Sequence, residues 1–257
     1  ALCVRCATGR YLLDKATTAA LHTNPNTQCL HCSKGKEFTS LITPCTTCDI
    51  GKYQDKNTIP NVTCSFCLEG QYLLDNSTDY TLHDDPSQCL YCQPGLRFTS
   101  IITECTICMA GFYQEQSDSK AMECKPCANG KYLSDKATDP TLHTTPDSCK
   151  YCIKGTKFES SSTDCVICPS GKYQHQTEGK YDQCIDCPTG YFISDAGKDD
   201  KKHQVQGDCL KCAPGQFSNI GAQYCLECSV GRHSFVNHTT NESSCIDCIV
   251  GTYQDLV

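Results

Sequence analysis

One pattern, Cys-x-x-Cys-x-x-Gly, occurs thirteen times in this chain, from Cys3-Val-Arg-Cys6-Ala-Thr-Gly9 to Cys245-Ile-Asp-Cys248-Ile-Val-Gly251, and it takes up all 26 cysteines. An aromatic follows the glycine by two or three positions at Tyr11, Phe38, Tyr53, Tyr72, Phe98, Tyr113, Tyr132, Phe158, Tyr173, Phe217 and Tyr253, and His233 takes the place once. A glycine at this fixed offset tolerates the positive φ of a tight turn after a cysteine pair. The ring beyond it can fold back over sulfur and bury apolar area where no helix or sheet core exists to receive it. The copies read as modules.

Measured between the first cysteines of successive motifs, the spacings run 26, 16, 19, 25, 16, 19, 25, 16, 19, 25, 16 and 20. Three modules, long, short and middle, therefore make one period of about 60 residues, the mark of a quasi-one-dimensional array. The units are 3–63, 64–123, 124–183 and 184–244, with 245–257 the start of a further module. Apolar residues come singly or in short runs and tryptophan is absent, so covalent links must substitute for a large core. The expected fold class is small and disulfide-rich: mostly irregular, with short β-hairpins and almost no helix, in an elongated linear array.

The long modules carry Gly-Arg-Tyr-Leu-Leu-Asp from Gly9, Gly-Gln-Tyr-Leu-Leu-Asp from Gly70, Gly-Lys-Tyr-Leu-Ser-Asp from Gly130 and Gly-Tyr-Phe-Ile-Ser-Asp from Gly190, each read as a short strand followed by irregular turns. Three continue into Leu21-His22, Leu82-His83 and Leu142-His143, then Pro25, Pro86 and Pro146; the fourth keeps His203 but has Asp199, Asp200, Lys201 and Lys202 in place of that pattern. In the short modules the β-branched runs from Phe38 and from Phe98 predict a brief strand. The middle modules read Gly-Lys-Tyr-Gln from Gly51 and Gly171 and Gly-Phe-Tyr-Gln from Gly111.

The signature Cys-x-x-Cys-x-x-Gly-x-aromatic resembles the ephrin-receptor-like cysteine-rich repeats, akin to tumour-necrosis-factor-receptor and growth-factor-receptor modules, along the whole chain. It is also similar to the cysteine-periodic surface proteins of protists and to repeats in their flagellar filaments. The resemblance implies an extracellular, elongated, disulfide-linked protein. A period stricter than receptor ectodomains usually show favours a structural role.

Paired Cys-x-x-Cys motifs also match tetrahedral zinc sites. Thirteen motifs are an odd number for sites that consume two each, and the cysteine density suits an oxidising compartment, so disulfides are favoured and no cofactor is expected. Pairing in twos would be incommensurate with a three-module period. A ladder joining the second cysteine of each motif to the first of the next makes every module equivalent: Cys6 with Cys29, Cys32 with Cys45, Cys48 with Cys64, Cys67 with Cys89, Cys92 with Cys105, Cys108 with Cys124, Cys127 with Cys149, Cys152 with Cys165, Cys168 with Cys184, Cys187 with Cys209, Cys212 with Cys225 and Cys228 with Cys245. Cys3 and Cys248 are left over, to bond outside the ladder.

A net charge of −7 without a basic stripe argues against nucleic acid as a partner. No stretch reaches the roughly 18 apolar residues of a membrane span. Four sequons, at Asn61, Asn76, Asn237 and Asn241, suggest N-glycans. The recurring His22, His83, His143 and His203 and the recurring Asp14, Asp75, Asp135 and Asp195 are read as structural, with the histidine beside its leucine and the aspartate making a turn. With no nucleophile elbow, phosphate loop or metalloprotease motif, the chain is not expected to be an enzyme. The expectation is a secreted rod that self-associates into a filament or coat; the alternative is a receptor-like or antigenic ectodomain.

Overall fold

The computed structural model describes residues 2–14, 18–118, 123–177, 183–237, 242–250 and 252. Contacts divide the chain into two compact units, one of residues 1–108 and 114–124, the other of residues 109–113 and 125–257. In the first, antiparallel hairpins pair Lys36–Glu37 with Thr46–Thr47, Lys52–Tyr53 with Ser65–Phe66, Gln71–Tyr72 with Leu90–Tyr91, and Leu96–Arg97 with Thr106–Ile107. In the second the same pattern begins with Phe112–Tyr113 on Lys125–Pro126 and Lys131–Tyr132 on Lys150–Tyr151. It ends on the longest ribbon, Arg232–Asn237 with Glu242–Asp247. This is a small disulfide-rich repeat array with little helix.

The positions of these strands follow from the motif. The two residues after a motif glycine leave as one arm, and the two residues inside the next Cys-x-x-Cys return as the other, so the motif at Cys64 serves two successive hairpins. Main-chain bonds lock this: Cys48 N–H donates to the Gly35 carbonyl at 2.9 Å and Cys67 N–H to that of Gly51 at 2.9 Å, and Cys127, Cys168 and Cys187 repeat the bond to Gly111, Gly155 and Gly171. A two-residue ladder is marginal by itself. Each is closed by a disulfide.

Twelve bridges join the second cysteine of one motif to the first of the next, Cys6–Cys29 through Cys228–Cys245. Separations are 22 or 23 residues in long modules, 13 in short ones and 16 or 17 in middle ones. Cys3 and Cys248 lie outside these bridges. The cysteines that zinc would require are held as disulfides.

All twelve motif glycines among the described residues have positive φ, between +74° and +86°, and Gly251 lies outside the described residues. At Gly9, Gly35, Gly155 and Gly171 only hydrogen fits, because a Cβ would run into the backbone of another segment. A Cβ on Gly155 would enter the Asp200 carbonyl oxygen, and one on Gly171 the Gly221 carbonyl oxygen.

Apolar burial is local. Tyr53 packs on Cys67, Leu73 and Cys89; Tyr113 on Cys127, Leu133 and Cys149; and Tyr173 clusters with Cys187, Ile193 and Cys209. The middle-module tyrosine thus covers the disulfide of the following long module. Tyr253 lies outside the described residues.

The runs from Phe38 and Phe98 correct the sequence reading. The strands there are Lys36–Glu37 and Leu96–Arg97, just before the aromatic, and the β-branched residues form turns instead. Thr99 and Thr103 bond through their hydroxyls at 2.7 Å, as do Thr39 and Thr43 at 3.0 Å, so short polar side chains bend the chain back where β propensity had suggested extension.

Candidate functional site

The long-module loop builds the same polar cluster in the second, third and fourth repeats. Asp75 begins it: its Oδ2 accepts the main-chain N–H of Thr78 at 2.9 Å and of Asp79 at 3.1 Å, while Oδ1 accepts the Thr78 hydroxyl at 2.5 Å. Asp79 then caps a short 3-10 turn, Tyr80–Leu82, by accepting from Thr81 N–H at 2.9 Å. That turn delivers His83 back over the aspartate, with Nε2 3.0 Å from Asp75 Oδ2. Nδ1 reaches 31 residues back to the Lys52 carbonyl oxygen at 2.7 Å, and the ring is fully buried.

His143 makes the same pair of contacts with Asp135 at 3.0 Å and the Phe112 carbonyl at 2.8 Å, and His203 with Asp195 at 3.2 Å and the Lys172 carbonyl at 2.6 Å. His22 is held to Asp14 at 2.6 Å with its side chain 38% exposed, the one member of the series that is open to solvent. The fourth loop therefore keeps its structure despite its different sequence: Asp200–Lys202 forms the turn that Tyr80–Leu82 forms in the second.

The aspartates are held well below the usual carboxylate range. For Asp75, lowered to about 2, the leading cause is the Thr78 hydroxyl, and for Asp195, also about 2, it is the Lys198 N–H. Asp135 moves in the same direction, chiefly through the Thr138 hydroxyl and then His143.

The aspartates make the turns expected of them, but the histidines are held by a different contact from the one expected. Leu82 and Leu142 are 43% and 47% exposed, so the histidine is seated by hydrogen bonds and its leucine faces outward. The constant eight-residue interval between aspartate and histidine in all four loops carries that information in the sequence.

A second tie had no reading in the sequence. Gln54 and Gln114, directly after the middle-module tyrosine, are 3% and 1% exposed. Gln54 Nε2 donates to the carbonyls of Lys36 at 2.8 Å and Ser33 at 3.2 Å, and Gln114 Nε2 to that of Leu96 at 2.8 Å. Gln54 N–H in turn donates to the His83 carbonyl at 2.8 Å, so glutamine and histidine together bind three successive modules. These clusters hold backbone to backbone. Among the described residues no group of three or more His, Cys, Asp or Glu is arranged to hold a metal.

Of the sequons, Asn61 and Asn76 are exposed, Asn237 is half-buried in the Arg232–Asn237 strand, and Asn241 lies outside the described residues. No helix among the described residues is long and apolar enough to cross a membrane.

No family model matches the chain. It is 26% identical over 250 residues, 88% of its length, to a variant-specific surface protein of Giardia intestinalis. It is 27% identical over 229 residues, 80% of its length, to a cysteine repeat modular protein of Toxoplasma gondii. Over 164 residues, 62% of its length, it is 25% identical to a sushi, von Willebrand factor type A, EGF and pentraxin domain-containing protein of Rattus norvegicus. The chain spans 29%, 6% and 4% of the length of these three. Together with twelve disulfides, which persist in oxidising surroundings, this likeness makes the chain a cysteine-rich repeat protein of the extracellular space or cell surface.

Proposed function

We propose that this chain is a structural repeat protein: a disulfide-stapled rod of ephrin-receptor-like modules, built from the four units 3–63, 64–123, 124–183 and 184–244, that self-associates into a cell-surface or flagellar filament or coat. The reading rests on one observation above all. Leu21, Leu82 and Leu142, at one position of successive repeats, are 44%, 43% and 47% exposed beside histidines tied to the fold. Repetition of an outward apolar residue at a fixed interval offers a second copy many equivalent weak contacts, and head-to-tail contacts that do not close generate filaments. Its work is mechanical and needs no catalysis.

Electron microscopy of the native glycosylated material is expected to show fibres with an axial repeat, and sedimentation to show concentration-dependent growth; a monomer at every concentration overturns the proposal. Glycosidase treatment of the same material is expected to reduce its intact mass at both Asn61 and Asn76, whose exposed side chains leave room for a sugar.

The similarity to a variant-specific surface protein over 88% of the chain favours a second reading, an antigenic or receptor-like ectodomain that binds a protein ligand. It shares the fold, and sedimentation as a stable monomer that captures a partner through one repeat would select it.

A further inference from the structure

His83, His143 and His203 are fully buried, and the hydrogens on each ring can be counted from its partners. Nδ1 meets a main-chain carbonyl oxygen in all three, at 2.7, 2.8 and 2.6 Å, and a carbonyl has no hydrogen to give, so Nδ1 carries one. Nε2 meets Oδ2 of Asp75, Asp135 or Asp195 at 3.0, 3.0 and 3.2 Å. That oxygen already accepts two main-chain N–H groups: those of Thr78 and Asp79, of Thr138 and Asp139, and of Lys198 and Asp199. In Asp75 and Asp135 the other oxygen accepts a threonine hydroxyl. The carboxylates are committed as acceptors, so the hydrogen between ring and carboxylate belongs to Nε2.

We infer that His83, His143 and His203 are held as imidazolium cations, each closing a proton-dependent catch between a long-module loop and the strand of the module before it. The charge is matched chiefly by its own aspartate. Asp79 and Asp139 add negative potential at His83 and His143. Beside His83, Asp84 follows in the chain, and the Lys52 ammonium is turned to Asp49 at 3.2 Å. Phe112–Tyr113 brings no charge of its own to His143, and Lys125 lies on the paired strand. Around His203, Lys172 is turned to Asp186 at 2.9 Å, Lys202 lies 4.0 Å from Asp195, and Asp199 and Asp200 complete the loop.

Removing the Nε2 proton would set a lone pair against a carboxylate oxygen in a closed site. Loss of that proton would therefore release the catch. The carboxylates set the opposite edge. With Asp75 and Asp195 lowered to about 2, their contribution is present above the ordinary value near 3.9 and is lost as pH falls toward about 2.

Nitrogen-15 NMR of the chain at pH 7.5 tests the inference. Three of the eight histidines are expected to show two slowly exchanging ring N–H groups, and His83→Gln, His143→Gln and His203→Gln are each expected to remove one of them. In His83→Gln and His203→Gln, amide exchange at Gln54 and Gln174, whose N–H groups donate to the main-chain carbonyls of those two positions, is expected to accelerate by about tenfold over the unmodified chain. Rings in the neutral form with hydrogen on Nδ1 alone overturn the inference, as does amide exchange at Gln54 and Gln174 that the substitutions leave unchanged. Should a variant fail to fold, the count in the unmodified chain still decides.

Discussion

Reduction of the bridges in native buffer is expected to unfold the chain completely, with loss of the near-ultraviolet signal of its tyrosines and of all slowly exchanging amides. The reason is the absence of any other large term. Among the described residues the buried apolar clusters are small, such as Tyr53 with Cys67, Leu73 and Cys89, in which half the members are the cysteines themselves. Each loop of 13 to 23 residues contributes about 3 kcal/mol on the chain-entropy estimate, whereas a whole domain is stable by only about 5–15 kcal/mol. Loss of a few bridges therefore suffices. A single double variant, Cys168→Ser with Cys184→Ser, is expected to lose about 3 kcal/mol and to open chiefly the Lys172–Tyr173 and Ile185–Asp186 hairpin that this bridge closes. Circular dichroism under reductant and amide exchange of the double variant check the two statements. Retention of fold after complete reduction would show that the core has been underestimated.

Gly171→Ala is expected to be among the most damaging single substitutions that spare the cysteines. Its φ of +74° costs an alanine about 1–2 kcal/mol, and the new methyl carbon would also enter the Gly221 carbonyl oxygen, which belongs to a backbone that cannot swing aside like a side chain. Gly171 N–H also donates to the Ile193 carbonyl and its own carbonyl accepts from Cys187, so any shift is passed to both partners. The total is expected to exceed about 3 kcal/mol. Gly231 provides the control: at φ +83° a Cβ meets nothing within 4 Å, so Gly231→Ala carries only the torsional cost of about 1–2 kcal/mol. Urea titration of both variants measures the difference, and equal losses would refute the role of the close approach at Gly171.

The class of fold was legible because its signal is periodic. A glycine at one offset in thirteen motifs announces a positive φ, and spacings of 13 to 23 residues between bridged cysteines leave no length for a long strand or helix. What stayed hidden has a common cause: it is made by backbone. The residues inside four of the motifs, Thr46–Thr47, Ser65–Phe66, Lys125–Pro126 and Val166–Ile167, share no chemical character, yet all are strands, because pairing uses their peptide groups and the flanking cysteines set their place. In the same way His83 and Gln54 bond to carbonyls, which every residue has, so no partner residue type marks the contact.

The fourth loop shows what was available to a closer reading. Ser77 and Ala137 occupy one turn position at φ +58° and +60°, where the fourth repeat has Gly197 at φ +69°. Its altered sequence thus places glycine where the torsion is least suited to other residues, while Asp195 and His203 keep their interval. Residue identity changed at the surface and persisted at the catch.

The ladder has a consequence for how such a chain is born. Every cysteine pair closes within 23 residues, and each loop ends at the first cysteine to emerge after the one that needs it. During vectorial synthesis the correct thiol is thus presented before any competitor further along, and the short loop gives it the smallest entropic handicap. Oxidation can then proceed from the N-terminal end like a zip, each closure withdrawing two thiols before the next pair appears. A gene encoding such a protein can gain or lose whole blocks of three modules without teaching any surviving cysteine a new partner, so copy number becomes a heritable dimension along which the molecule is free to vary.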